Sequence, residues 1–248
     1  MIAIITGATG GIGEEFVKKI INEVDAVWAV GRNANKLSVL KDSYGDKIIP
    51  VRADLSDKAD ILGLCAKIES VKPSVKYLVN NAGTARMAPV SEFSLEEISD
   101  MLDINDKAAT MICRTCLPYM AKDSYILNIA SASAFQPNPY IALYSASKAY
   151  LLSFTRSLNV ENDGITCTAV CPGWVDTKML PKTNKNGDIK YPGMVTASRV
   201  VEVALKDCHK GKDVSVCSFY YRYMRFLSKV TPHRIAMKMW VRAIRQYI

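Results

Sequence analysis

The chain reads as an α/β protein. It predicts one doubly wound parallel sheet of about seven strands, with helices on both faces and a helical tail at the C-terminus. Three observations predict this. Short β-rich apolar runs alternate with longer amphipathic stretches. The runs are apolar throughout rather than alternating, as in strands covered on both faces. A glycine-rich turn joins the first run directly to the first helix.

The strands are expected at 2–6, 26–30, 48–52, 77–80, 125–130, 166–171 and 214–218, each mostly Ile, Val, Leu, Ala, Tyr or Cys. Helical spacing at 14–22 puts Val17, Ile20 and Ile21 on one side. The stretch 95–120 predicts one long helix, opened by Ser94 and Glu97 as a capping box. A third helix, 142–161, is mostly small or apolar, and a fourth, 198–209, precedes the last strand. The polar segment 181–193 reads as a loop able to cover a site. Nothing repeats and no linker divides the chain. One domain over 1–217 is expected, with 218–248 as an extension packed on it.

A hydrophobic fraction of 49% excludes disordered and fibrous classes. No apolar run approaches the ~18 residues of a spanning helix. The opening "MIAIITGATGGIG" is a strand entering a turn rather than a secretory leader, so a cytoplasmic protein is expected. Seven scattered cysteines suit buried thiols better than disulfides. Cys113 and Cys116 form a CxxC, but inside a helix and with no second pair or neighbouring His, so no metal is expected.

"TGATGGIG" (6–13) places Gly7, Gly11 and Gly13 where the backbone must turn sharply and approach a ligand. The helix start that follows favours a pyrophosphate. The second strand ends in "VWAVGRN", where an acid would select NAD. Gly31 and Arg32 stand there instead, and an arginine fork suits a 2′-phosphate. NADP(H) is therefore the preferred cofactor, with NAD(H) left open.

"YSASK" sets Tyr144 and Lys148 four residues apart, on one helix face. A cation beside a phenol lowers its pKa from about 10 toward the range useful for acid–base work. That is the expected role of Lys148.

The motifs "TGATGGIG", "NNAG" (80–83), "YSASK" and "PGWVDT" (172–177) occur in the order of the short-chain dehydrogenase/reductase family, which residues 1–217 resemble. The resemblance implies a Rossmann-type fold and a catalytic set of Asn105, Ser131, Tyr144 and Lys148. It implies cofactor contacts from Gly7, Thr9, Gly11, Ile12, Gly13, Arg32, Asp54, Leu55, Asn81, Ala82, Gly83, Pro172, Gly173 and Thr177, besides Tyr144 and Lys148. Asp54 would meet the adenine and Thr177 the nicotinamide carboxamide. Ser131 would polarise the substrate oxygen, and Asn105 would hold a water leading to Lys148. Tyr144 would exchange a proton as a hydride moves between the nicotinamide and a carbonyl carbon. The resemblance implies a dimer or tetramer, commonly through the helices at 95–120 and 142–161; a tail beyond the last strand could block the other tetramer contact, so a homodimer is expected.

The chain has a net charge of +8, yet from 218 onward there are seven Arg or Lys and no acid, so the body is almost neutral. Pro232 suits a helix start. Arg234, Lys238, Arg242 and Arg245 make a cationic stripe there, beside apolar Ile235, Met239, Trp240 and Ile244. Docking on the protein's own body or on a second subunit is expected, with peripheral contact to an anionic membrane, or capture of an acidic partner or substrate, as the alternatives. Nucleic acid is not expected, since no binding motif accompanies the short tail. The function expected is an NADP(H)-dependent oxidoreductase acting on a secondary alcohol or ketone. The small-molecule substrate is apolar, such as a hydroxysteroid or a long-chain 3-oxoacyl compound. A cofactor-binding sensor without turnover is the alternative.

Overall fold

The computed structural model describes residues 1–177, 180, 183–184 and 187–244. The elements in order are β1 (Ile2–Thr6), α1 (Gly11–Ile20), β2 (Ala26–Gly31), α2 (Ala34–Tyr44), β3 (Ile48–Arg52), α3 (Lys58–Val71) and β4 (Val75–Asn80). Then come α4 (Leu95–Leu102), α5 (Ala108–Cys116), β5 (Met120–Ile129), α6 (Ala142–Glu161) and β6 (Ile165–Val170). Short strands β7 (Val175–Asp176), β8 (Thr183–Asn184), β9 (Gly187–Asp188) and β10 (Val195–Thr196) follow, and α7 (Ala197–Cys208), β11 (Val214–Ser215), α8 (Phe219–Val230) and α9 (His233–Ile244) close the chain.

The main sheet has the order β11-β6-β5-β4-β1-β2-β3, and every pairing in it is parallel. After β3 the chain returns past β1 to lay down β4 on its other side. Strand order therefore reverses between β1 and β4, and a crevice opens at their C-terminal ends. Burying both faces explains the uniform apolarity of the strands. Phe16, Val17 and Ile20 of α1 join Val200, Val201 and Ala204 of α7 on one face. Ile61, Leu64 and Ile68 of α3 join Ile112, Cys113 and Cys116 of α5 on the other. All seven cysteines are free thiols and six are buried.

The expected helix over 95–120 is interrupted. Residues Asp103–Lys107 form a π-turn between α4 and α5, and a 3₁₀ turn at Leu117–Tyr119 containing Pro118 ends the helix. Asn105 sits at the centre of the π-turn, 1% exposed, drawn inward by hydrogen bonds described below. A π-turn inside a helix is often a functional device. Two helices that periodicity does not single out, α2 and α3, begin at side-chain caps from Asn33 and Asp57. Within 181–193, β8 pairs antiparallel with β9. Positions 181, 182, 185 and 186 of the expected loop, like Arg245 of the cationic stripe, lie outside the described residues.

The tail forms two helices where one was expected. Tyr221 of α8 is buried against Gly173: a Cβ at Gly173 would lie 1.8 Å from its ring. The Tyr221 hydroxyl donates to the Pro192 carbonyl at 3.1 Å and accepts from the Trp174 N–H at 3.3 Å. Trp240 of α9 donates its indole N–H to the Pro139 carbonyl at 2.8 Å. Trp240 and Ile244 thus turn toward the body, whereas Ile235 and Met239 stay exposed. The four do not form one apolar surface, because at 100° per residue the two pairs, five residues apart, lie about 140° apart around the helix.

Gly173→Ala is expected to destabilise the protein by about 2 kcal/mol or more through the clash with Tyr221. Most of that loss should vanish in a Tyr221→Ala background. Urea denaturation of the four-member cycle measures it, and additive losses would refute the packing described.

Candidate active site

The C-terminal ends of the parallel strands build the site. After β1, Gly7 takes a left-handed conformation (φ +62°), and a Cβ on Gly13 would stand 2.1 Å from the Gly7 carbonyl oxygen. No side chain caps the start of α1 at Gly10, so the helix presents backbone N–H groups to the crevice. A Cβ at Gly11 would touch the Thr177 methyl at 3.0 Å, so Thr177 lies over this turn. These are the features of a cradle that fits a pyrophosphate.

The glycine turn is tied to the end of β4. Thr6 Oγ1 accepts from the N–H groups of Asn81 and Ala82, each at 3.0 Å. The Asn81 amide donates back to the carbonyls of Thr6 (3.2 Å) and Gly7 (3.0 Å). Asn81 therefore shapes the turn with its side chain. At the far side of the crevice, Thr9 Oγ1 is 3.6 Å from where a Gly31 Cβ would be, and Arg32 follows on the surface. Gly31 pairs in register with Arg52 of β3. Asp54 binds Ser56 through its backbone N–H (3.1 Å) and hydroxyl (2.9 Å). Those bonds, helped by Arg32 and Arg52, hold its carboxyl below the usual range despite partial burial. Leu55 and Ile12 turn their side chains into the two cores. Leu55 is buried, whereas Ile12 keeps part of its side chain exposed.

The chemical groups gather at the ends of β5 and β6. Ser131, 7% exposed, follows β5 directly and accepts from the Ser133 N–H at 3.1 Å. Ala132 N–H donates to the Pro172 carbonyl at 2.7 Å, which joins the two strand ends. Lys148 of α6 is 4% exposed, donates to the Ile129 carbonyl at 2.8 Å and lies 5.7 Å from the Tyr144 ring centroid. Asn105 uses its whole amide: it accepts from Thr84 N–H (2.9 Å) and donates to the Thr84 carbonyl (3.0 Å) and Ser147 Oγ (3.0 Å). Ser147 in turn donates to the Tyr144 carbonyl at 2.8 Å. Gly83 fits between, since a Cβ there would be 3.2 Å from Asn105 Oδ1 and 3.3 Å from Lys148 Nζ. Ser131, Tyr144, Lys148 and Asn105 are thus brought into one cluster.

The electrostatics correct one expectation. Burial raises the Tyr144 pKa, and the hydrogen bond with Ser131 only partly offsets it. The ammonium does not dominate, because it suffers the same desolvation: burial pulls Lys148 down to about 8, against the charge of Asp106. Its N–H is also aimed at the Ile129 carbonyl rather than at the phenol.

Sequence reasoning missed four residues here. Thr6 and Ser147 carry no signal in a motif of small residues. Arg52 emerges only from strand register. Asp106 directly follows Asn105, and its Oδ1 is buried without a hydrogen-bond partner. Burial pushes its pKa up to about 6 against the pull of Lys148. It also lines a cavity of about 450 Å³ with Leu102, Asp103, Lys107, Thr110, Met111 and Tyr150.

Sheet order, glycine turn and this cluster are together the arrangement of a dinucleotide-dependent oxidoreductase. A family profile for the short chain dehydrogenases matches residues 1–188, and the chain belongs to that family. An uncharacterized oxidoreductase of Staphylococcus epidermidis is 30% identical over 212 residues, covering 84% of this chain and 92% of the relative. The NADP-dependent 3-hydroxy acid dehydrogenase YdfG of Escherichia coli K12 is 32% identical over 193 residues, covering 76% and 78%. Among solved structures, a serine dehydrogenase complexed with NADP+ superposes with a TM-score of 0.73 at 29% identity, covering 87% of this chain and 94% of that one. A bulky-bulky ketone specific alcohol dehydrogenase from Comamonas testosteroni shares the fold, with TM-score 0.77 at 23% identity and coverage of 91% and 90%.

Lys148 titrates lower in the folded protein than in the unfolded chain, so its burial opposes folding in full below about pH 8 and progressively less as pH rises from there toward the ordinary lysine value. Lys148→Met should therefore raise Tm by several degrees at pH 7 while abolishing turnover. The gain should shrink as pH rises toward 9, where the wild-type lysine is mostly neutral. Calorimetry at both pH values checks this; a lower Tm at pH 7 would refute it.

Proposed function

We propose that the protein interconverts a secondary alcohol and its ketone with NADP(H). The observation that carries this reading is the grouping of Ser131, Tyr144 and Lys148 beside the crevice where β1 and β4 part. Two arginines and no acid at the ends of β2 and β3 other than the Ser56-bound Asp54 favour a 2′-phosphate. Relatives named for NADP use or complexed with it agree. Gly7, Gly11 and Gly13 would hold the pyrophosphate on the start of α1. Lys148 would hold the nicotinamide ribose.

When bound, the nicotinamide supplies the hydride in reduction and takes it in oxidation. The rest falls to the chain. A Tyr144 pKa above the ordinary phenol value keeps the hydroxyl protonated at neutral pH, so it enters reduction loaded. Ser131 donates to the substrate oxygen as negative charge grows there. Tyr144 then releases its proton to that oxygen. Lys148 stands close enough to favour the phenolate at that moment, and its own pKa of about 8 lets it take part in proton return. Asn105 fixes the Thr84 backbone and, through Ser147, the turn of α6 that carries Tyr144.

An apolar substrate, such as a hydroxysteroid or long-chain 3-oxoacyl compound, is supported by the segments following Ser131 and Gly173. Phe135 and Trp174 pack there on the third core cluster, and Trp174 lies 4.9 Å from Tyr191. Assembly as a homodimer through α4, α5 and α6 is supported by exposed Leu102, Val160 and Tyr150, the last stacked on Phe154 at 5.9 Å.

Tyr144→Phe should lower kcat for ketone reduction by about 10³-fold or more with NADPH affinity nearly unchanged; substantial turnover would overturn the assignment. Arg32→Ala should raise the KM for NADPH by about tenfold and leave NADH almost unaffected; equal losses would contradict the 2′-phosphate role. Light scattering should give the mass of a dimer. A tetramer would refute that assembly.

A further inference from the structure

Among the described residues the tail leaves an apolar surface uncovered. Phe219, Tyr223, Phe226 and Val230 recur at spacings of four, three and four on α8, and they are 84%, 53%, 60% and 62% exposed. That spacing is a single helical stripe. It points away from Tyr221, the residue that docks α8 on the body. On α9 the side away from Trp240 and Ile244 carries Ile235 and Met239, 52% and 57% exposed, beside exposed Lys238 and Arg242. Large apolar residues this open on consecutive helices, mostly aromatic on α8 and aliphatic on α9, are unusual for a surface that meets only water.

Charge identifies what covers it. From residue 218 to the end there are seven Arg or Lys and no Asp or Glu. Lys229 flanks the α8 stripe, and Arg234, Lys238 and Arg242 lie along the outer side of α9, all exposed. A second copy of the chain meeting this face by two-fold symmetry would set cation against cation. An anionic lipid surface answers both halves of the composition. Aromatic rings settle at headgroup level, and each lysine or arginine near the surface gains attraction. Among the described residues no helix is long and apolar enough to cross a membrane, so the contact is along the interface.

We propose that the outward face of α8 and α9 docks the enzyme on an anionic membrane surface. The inference goes beyond the oxidoreductase reading and stands without it. Pro139, which precedes Tyr144, and Pro192 are the residues that α9 and α8 hold, so docking would bring the bilayer beside the segments flanking the site.

Cosedimentation with vesicles tests this. The wild-type protein should partition at least about tenfold better onto phosphatidylcholine vesicles containing phosphatidylglycerol than onto phosphatidylcholine alone, and added salt should weaken the binding. Phe219→Ser/Phe226→Ser and Lys238→Gln/Arg242→Gln should each lower the partition about tenfold, with Tm unchanged as the check on folding. No binding to anionic vesicles, or equal binding to both kinds, would overturn the proposal. So would a dimer in light scattering that Phe226→Ser dissolves, since a second copy would then cover the face.

Discussion

An ammonium taken out of water is the constraint around which this molecule is organised. Lys148 keeps its charge at 4% exposure through one strong contact, the Ile129 carbonyl at 2.8 Å. That carbonyl is available because β5 ends there, between β4 and β6, and has no further strand partner beyond Ile129. Gly83 must lack a side chain for Nζ to fit beside Asn105. Asp106 supplies the nearest opposing charge. A buried charge is tolerated only when such contacts surround it, and here they reach Lys148 of α6 from three places: the end of β5, the segment after β4 and the π-turn. The doubly wound sheet is what makes them converge on one point.

The same dryness acts on the phenol. Tyr144 and Lys148 are four residues apart on one face of α6, the lysine buried and the phenol partly so. Desolvation disfavours both charged forms and drives the two pKa values apart, the phenol upward and the lysine downward to about 8. The result is a proton-loaded acid beside a base close to neutrality. The tuning by burial precedes any contribution from bound ligand, and it explains why the site is made from a helix face rather than from a loop.

Much of this was legible in the sequence. Uniformly apolar runs predicted strands of a twice-covered sheet within a few residues, and Ala142–Glu161 matches its expected helix at both ends. The glycine turn and the Tyr144–Lys148 pair stood out because each is a local pattern. What escaped was long-range. The π-turn at Asp103–Lys107 arises because Asn105 bonds Thr84 and Ser147, residues distant in sequence. Arg52 joins the cofactor side by register with Gly31. The direction of the Tyr144 shift was read wrongly, because spacing reports the neighbour's charge and says nothing of the water both groups lose. In the tail, composition revealed the cations but not that a second helix would carry an aromatic stripe.

The most direct measurement is the titration of Lys148 itself in the free enzyme. NMR of protein carrying ¹³Cε-labelled lysine, with Lys148→Met to assign the signal, would follow its ionisation through the alkaline range. The account predicts a midpoint near 8. A midpoint in the ordinary lysine range of about 10 would mean that the ammonium is not desolvated, and the account of the site would fail.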